Sequence, residues 1–126
     1  MIFGIGCDIV EIERIEKALE RTPKLARRLL TDGEYRSFSS SKSPARFLAK
    51  RFAAKEAIVK ALGTGIACGV GWHQVEIIYH ERGRPGVRLE GQAERLARSY
   101  NITHWHLSYS DERRYVVAQA IAEQRA

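Results

Sequence analysis

Cysteine is scarce in this chain: Cys7 and Cys68 are the two present among 126 residues. Neither has Cys or His companions at the short spacings of a zinc site, and two cysteines make no disulfide framework. Both are read as reduced thiols, Cys7 in the core. No run of about 18 apolar residues occurs, and the chain opens on a strand pattern without a basic segment, an apolar segment and a cleavage site. The expectation is a cytosolic protein that does not cross a membrane. No internal repeat is visible, and the Walker A string that would explain a phosphate-binding glycine loop is missing. Four histidines, His73, His80, His104 and His106, lack ligand-like neighbours. They read as solvated or hydrogen-bonded side chains rather than metal ligands.

What is present suits one domain spanning residues 1–126, with 44% hydrophobic residues available for a core. A chain this small buries only about two-thirds of its unfolded surface, so association would help it. The formal charge of +6 favours a polyanionic partner, either nucleic acid or an acidic protein. The cations cluster at Arg14, Lys17, Arg21, Lys24, Arg27 and Arg28, and again at Lys42, Arg46, Lys50, Arg51 and Lys55. Few aromatics interleave them, unlike a single-strand nucleic-acid platform.

Alternation around Phe3, Ile5 and Cys7 predicts a strand over residues 2–7, with Gly4 and Gly6 permitting close backbone approach and Asp8 near the strand's exit. Ile12, Ile15 and Leu19 recur at helical spacing, and Thr22-Pro23 breaks and restarts that helix. Ser43-Pro44 is a cap followed by proline and starts a long helix ending at Leu62, with Gly63 as its C-cap. Ala53, Ala54, Ala57 and Ala61 give this helix a side of small residues. A glycine-containing turn, a strand from Val75 to Tyr79, a hairpin turn at 81–85 into a strand at Val87-Arg88-Leu89, a short helix closing at Asn101, and strands around Trp105–Tyr109 and Tyr115–Ile121 follow. The order reads as α+β, a largely antiparallel sheet packed with one long helix.

Within the long helix, Phe52, Glu56 and Lys60 lie on neighbouring rows, with Glu56 half-buried at the border of the apolar stripe Leu48, Phe52, Val59, Leu62. Glu56 and Lys60 alone could be an ordinary i, i+4 surface pair. Asp8, interrupting the apolar run Gly4–Ile15, supplies a second carboxylate in a place where strands disfavour one. Two hard oxygen ligands suit Mg²⁺ shared with substrate phosphates. Lys60 could neutralise such a phosphate, and the amides of Gly63, Thr64 and Gly65 could donate to it.

These two segments, Gly4–Ile15 and Arg46-Phe47-Leu48-Ala49-Lys50-Arg51-Phe52 through Gly65-Ile66, resemble the two signature motifs of the holo-acyl-carrier-protein synthase family of phosphopantetheinyl transferases. The resemblance spans nearly the whole chain. It implies transfer of 4′-phosphopantetheine from coenzyme A to a serine of acyl carrier protein in fatty acid biosynthesis, releasing adenosine 3′,5′-bisphosphate. It further implies that Asp8 and Glu56 hold Mg²⁺ and that Lys60 contacts the phosphates. Arg46 and Arg51 are then cations near the 3′-phosphate, and Gly63, Thr64, Gly65, Ile66 and Pro85 border the ligand. A homotrimer with sites between subunits, and carrier docking on the first helix through Arg14, Arg21, Lys24 and Arg28, belong to the same implication, with neither nucleic acid nor membrane as partner. Glu56 is also a candidate relay for the serine proton. Many members carry a histidine where this chain has Asp111 after Ser108-Tyr109-Ser110, so Asp111 is a candidate substitute for it or simply a turn residue. The rival readings are a basic nucleic-acid-binding module and a metal-dependent phosphohydrolase using the same carboxylates.

Overall fold

The computed structural model describes residues 1–125. Strand β1 (Ile2–Glu11) leads into α1 (Ile12–Arg21), α2 (Leu25–Leu29), α3 (Asp32–Ser39) and the long α4 (Pro44–Leu62). Strands β2 (Val75–Tyr79) and β3 (Pro85–Leu89) form an antiparallel hairpin, followed by α5 (Gly91–Ser99), β4 (His104–Asp111) and β5 (Tyr115–Glu123). The last strand thus reaches two residues beyond Ile121. The main sheet is antiparallel in the order β1-β5-β4, so this is the α+β class expected.

Helix α4 crosses one face of that sheet, and small residues set its distance. A Cβ added to Gly6 would collide with the Ala57 carbonyl, and one added to Gly4 with that of Ala61. Ala53, Ala57 and Ala61 on the helix and Ala118, Ala120 and Ala122 on β5 are all buried. Helix and sheet therefore meet almost backbone to backbone, and the alternation along β1 faces the other way from what the apolar pattern suggests. Gly4, Gly6, Asp8 and Val10 face α4. Ile5 and Ile9, each 66% exposed, lie on the opposite, uncovered face, and Cys7 between them is exposed rather than buried in the core.

β1 also runs further than residues 2–7. Asp8 pairs with Ala118 and Val10 with Val116, so Asp8 sits within the strand and not at its exit. The ladder to β5 outweighs the poor strand preference of aspartate, since propensity yields to tertiary pairing. Ser43 makes no side-chain cap on α4, although Pro44 does occupy its first turn. At the other end Gly63 adopts φ 95°, the left-handed cap that glycine takes without a Cβ penalty.

A buried ionic knot ties the helices to the hairpin. Glu34 is 3% exposed and Lys55 fully buried, with Lys55 Nζ 2.6 Å from Glu34 Oε1 and donating to the carbonyls of Leu29 (2.7 Å) and Trp72 (3.1 Å). Glu34 closes a capping box with Thr31 at the start of α3, and its other oxygen accepts from the Ile77 amide at 2.9 Å. Burial lowers the pKa of Lys55, opposed by the charge and hydrogen bond of Glu34.

Candidate active site

The backbone contact between β1 and α4 brings Asp8, Glu56 and Lys60 to one place. Lys60 Nζ donates to Asp8 Oδ1 at 3.0 Å and to the Cys7 carbonyl at 3.2 Å. The Asp8 hydrogen bond heads the influences that raise the Lys60 pKa. Asp8 Oδ2 is buried and has no hydrogen-bond partner. Glu56 is half-buried, and its pKa is raised first by burial and then by the charge of Asp8, with Lys60 opposing. Two crowded carboxylates with an unspent oxygen, one shared lysine and no third acid form a site short of positive charge.

That is the donor set a hard dication fits. The orphaned Asp8 Oδ2 and the desolvated Glu56 could offer it two oxygen donors, and no group of three or more His, Cys, Asp or Glu able to hold a metal occurs among the described residues. Remaining coordination positions would fall to water and ligand phosphates, as magnesium prefers.

The loop after α4 is used differently from the expectation. The amides of Gly63, Thr64 and Gly65 all donate to the Val59 carbonyl, at 3.1, 3.2 and 3.1 Å. They satisfy carbonyls orphaned at a helix C-terminus, the negative end of the dipole, so they are not free to receive a phosphate. Ile66 beyond them is exposed.

The two arginines placed near a 3′-phosphate sit apart. Arg51 is 7% exposed, held between the Phe47 and Tyr79 rings and donating to the Tyr79 hydroxyl at 2.9 Å, with its Nε 3.7 Å from Glu34. Arg46, in the first turn of α4, donates to Asp111 Oδ2 at 2.7 Å and to the carbonyls of Glu112 and Arg113. Lys50 stands 3.3 Å from Asp111 Oδ1. Burial would raise the Asp111 pKa, but hydrogen bonds from Arg46 and Lys50 outweigh it and hold the carboxyl below its usual range. An acid held that firmly as an anion is a poor proton acceptor. Lys50 was visible in the sequence only as part of a basic cluster, and its pairing with Asp111 needs the β4–α4 contact.

A cavity of about 410 Å³ beside Asp8 is lined by Arg14, Lys17 and Arg21 of α1 and by Phe52. The structure thus brings the first-helix cations to the Asp8 side of the site. Lys24 and Arg28 are exposed at α2 and do not line this cavity. Pro85 opposite Tyr79 belongs to the hairpin beside β4, whereas Asp8 lies on β1 at the sheet's other edge.

Comparison with known proteins settles the lineage. The sequence profile of the 4′-phosphopantetheinyl transferase superfamily matches residues 4–120. The chain belongs to this family. It is 56% identical over 126 residues to a holo-[acyl-carrier-protein] synthase of Vibrio cholerae, covering 99% of this chain and all of that one. Among solved structures it is similar to the synthase of Neisseria meningitidis, with a TM-score of 0.91 at 39% identity, covering 98% of this chain and 100% of that one. It is likewise similar to the synthase from Bacillus anthracis, solved in complex with CoA (3′,5′-ADP), at a TM-score of 0.84 and 37% identity over 99% of each chain. The chain is a family enzyme, as its two motifs imply, and among the described residues no helix is long and apolar enough to cross a membrane.

Proposed function

We propose that this chain transfers 4′-phosphopantetheine from coenzyme A to a serine of apo acyl carrier protein, with Mg²⁺, and releases adenosine 3′,5′-bisphosphate. The observation that carries the reading is the Asp8 carboxylate, with Oδ2 buried and unpaired, Oδ1 on Lys60, and its charge acting on Glu56. The family comparisons supply the substrates: a synthase named for acyl carrier protein, and a relative with CoA (3′,5′-ADP) bound.

Asp8 and Glu56 would hold the magnesium, which supplies Lewis-acid neutralisation of the pyrophosphate. Lys60, half-exposed at the mouth of the site, stabilises charge on the phosphate oxygens as the bond to the leaving bisphosphate breaks. Glu56, whose pKa is raised by burial, is the candidate to take up the serine proton. No side chain of the enzyme is asked to become a nucleophile, because the carrier serine attacks directly.

The assembly we infer is a homotrimer of single-domain chains. Its support is the uncovered sheet face carrying Ile5 and Ile9, and the separation of Pro85 from Asp8 within one chain, which a neighbouring subunit would bridge. The enzyme would work in the cytosol on an acidic protein, with neither nucleic acid nor membrane as partner.

Incubation with coenzyme A, Mg²⁺ and apo acyl carrier protein should add one phosphopantetheinyl group to the carrier, read by intact-protein mass spectrometry. Carriers that gain no mass refute the transfer. Coenzyme A cleaved without any acceptor would instead mark a hydrolase.

A further inference from the structure

Arg46 and Lys50 are the paired cations at the start of α4, and both are engaged by one carboxylate. Asp111 Oδ2 accepts from Arg46 Nη1 at 2.7 Å, and Oδ1 lies 3.3 Å from Lys50 Nζ, so each oxygen faces one cation. That two-oxygen, two-cation geometry is what a phosphate would adopt in the same place. We propose that the Asp111 carboxylate is an internal stand-in for a ligand phosphate monoester, occupying Arg46 and Lys50 in the free chain and displaced when that phosphate binds. The inference rests on the reading above, in which Arg46 meets the 3′-phosphate of coenzyme A.

Three observations carry it. Arg46 is fixed independently of Asp111, since Nη1 also donates to the Glu112 carbonyl at 2.7 Å and Nη2 to that of Arg113 at 3.2 Å. The guanidinium therefore stays in place when the carboxylate leaves. Lys50, by contrast, has Asp111 as its one ion-pair partner among the described residues. Finally, all three side chains are a quarter to a third exposed, so the pair is reachable from solvent and not sealed in the core. A carboxylate carries one negative charge and a phosphate monoester about 1.5 to 2, so the ligand wins the exchange while the competition weakens its apparent affinity. The same carboxylate, re-closing on the two cations, favours departure of a bisphosphate product that carries the same group. Asp111 thus competes with the ligand for the two cations and sets how tightly substrate and product are held.

The test compares wild type with D111N, which keeps an acceptor and removes the charge, and with D111S in case the amide disturbs the turn. Calorimetric titration with adenosine 3′,5′-bisphosphate should show binding about twofold to fivefold tighter in either variant, as expected from loss of a partly exposed ion-pair competitor. Transfer kinetics should show a lower KM for coenzyme A with 3′-dephospho-coenzyme A unaffected, a split that a merely structural role for Asp111 would not produce. Unchanged or weaker bisphosphate binding in both variants, or equal effects on the two coenzymes, overturns the proposal. R46Q separates the two levels. If it weakens bisphosphate binding while D111N and D111S fail to tighten it, the stand-in alone is refuted. If it leaves binding unchanged, the placement of the phosphate on Arg46 falls with it.

Discussion

Replacing Lys55 by methionine should destabilise the enzyme strongly, although the residue touches no proposed ligand. Lys55 is fully buried and spends its ammonium on Glu34 Oε1 and the carbonyls of Leu29 and Trp72. Methionine fills similar volume, so no large cavity opens and the loss is electrostatic. It leaves the buried Glu34 carboxylate with only the longer contact to Arg51 Nε at 3.7 Å, and two carbonyls without their donor. Breaking a buried pair from one side costs about 3 to 5 kcal/mol, roughly a fifth or more of the stability of an ordinary domain. For a chain of this size that corresponds to a fall in Tm of roughly 10 to 20 °C. Glu34→Gln in the Lys55→Met background removes the stranded charge while keeping an acceptor for the Ile77 amide, so the double variant should recover part of the loss. Differential scanning calorimetry and urea titration measure both. A single variant within about 1 kcal/mol of wild type, or a double variant less stable than K55M, would falsify the account of the knot as a mutually dependent pair.

Asp8→Ala and Glu56→Gln should each cut transfer at least tenfold, about 1.4 kcal/mol in the barrier, while moving Tm by only a few degrees; retained activity in either removes the metal assignment. Reversing Arg14 and Arg21 to Glu should raise the KM for the carrier severalfold, more at low salt, with that for coenzyme A barely changed; equal effects on both substrates would move the docking surface elsewhere. Gly6→Ala should cost at least about 1 to 3 kcal/mol, because the new methyl meets the Ala57 carbonyl and helix and strand must separate; an unchanged Tm contradicts the close approach. Glu123 is held down to about 2 by hydrogen bonds from His106 and Arg125. A depressed carboxyl stabilises the fold above its ordinary value of 4.5 and loses that contribution as pH falls towards about 2. The Tm gap between wild type and E123Q should therefore be full at neutral pH and close as pH drops through that window, and a gap that widens on acidification would refute the pairing.

The long helix and its glycine cap were legible because local rules agree there: proline at the first turn and glycine at φ 95° after the last. The glycines of β1 and the alanines of α4 permit the close approach that their small size suggests. What the sequence hides is which face that approach serves. Alternation of Phe3, Ile5 and Cys7 suggests a buried row, but the residues without side chains are the ones against the helix. The loop amides misled for a related reason, since glycines after a helix serve its cap before they serve a ligand. Arg51 and Lys55 read as members of a basic surface cluster, yet both are buried on partners supplied by α3 and the hairpin. Thr31-x-x-Glu34 did carry the local signature of a capping box. Its second use, as counter-charge to Lys55, is a tertiary fact.

Cys7 has a use as a built-in reporter. Its side chain lies on the uncovered sheet face between Ile5 and Ile9, in the row shared with Gln119 and Ser108, while Cys68 sits exposed in the loop beyond α4. Two thiols in different surroundings give one protein its own probe and its own reference. Whatever comes to cover that face will slow alkylation of Cys7 relative to Cys68, without any label having to be introduced. The ratio of the two rates, followed against protein concentration, converts a question about assembly into a chemical clock read by peptide mass spectrometry.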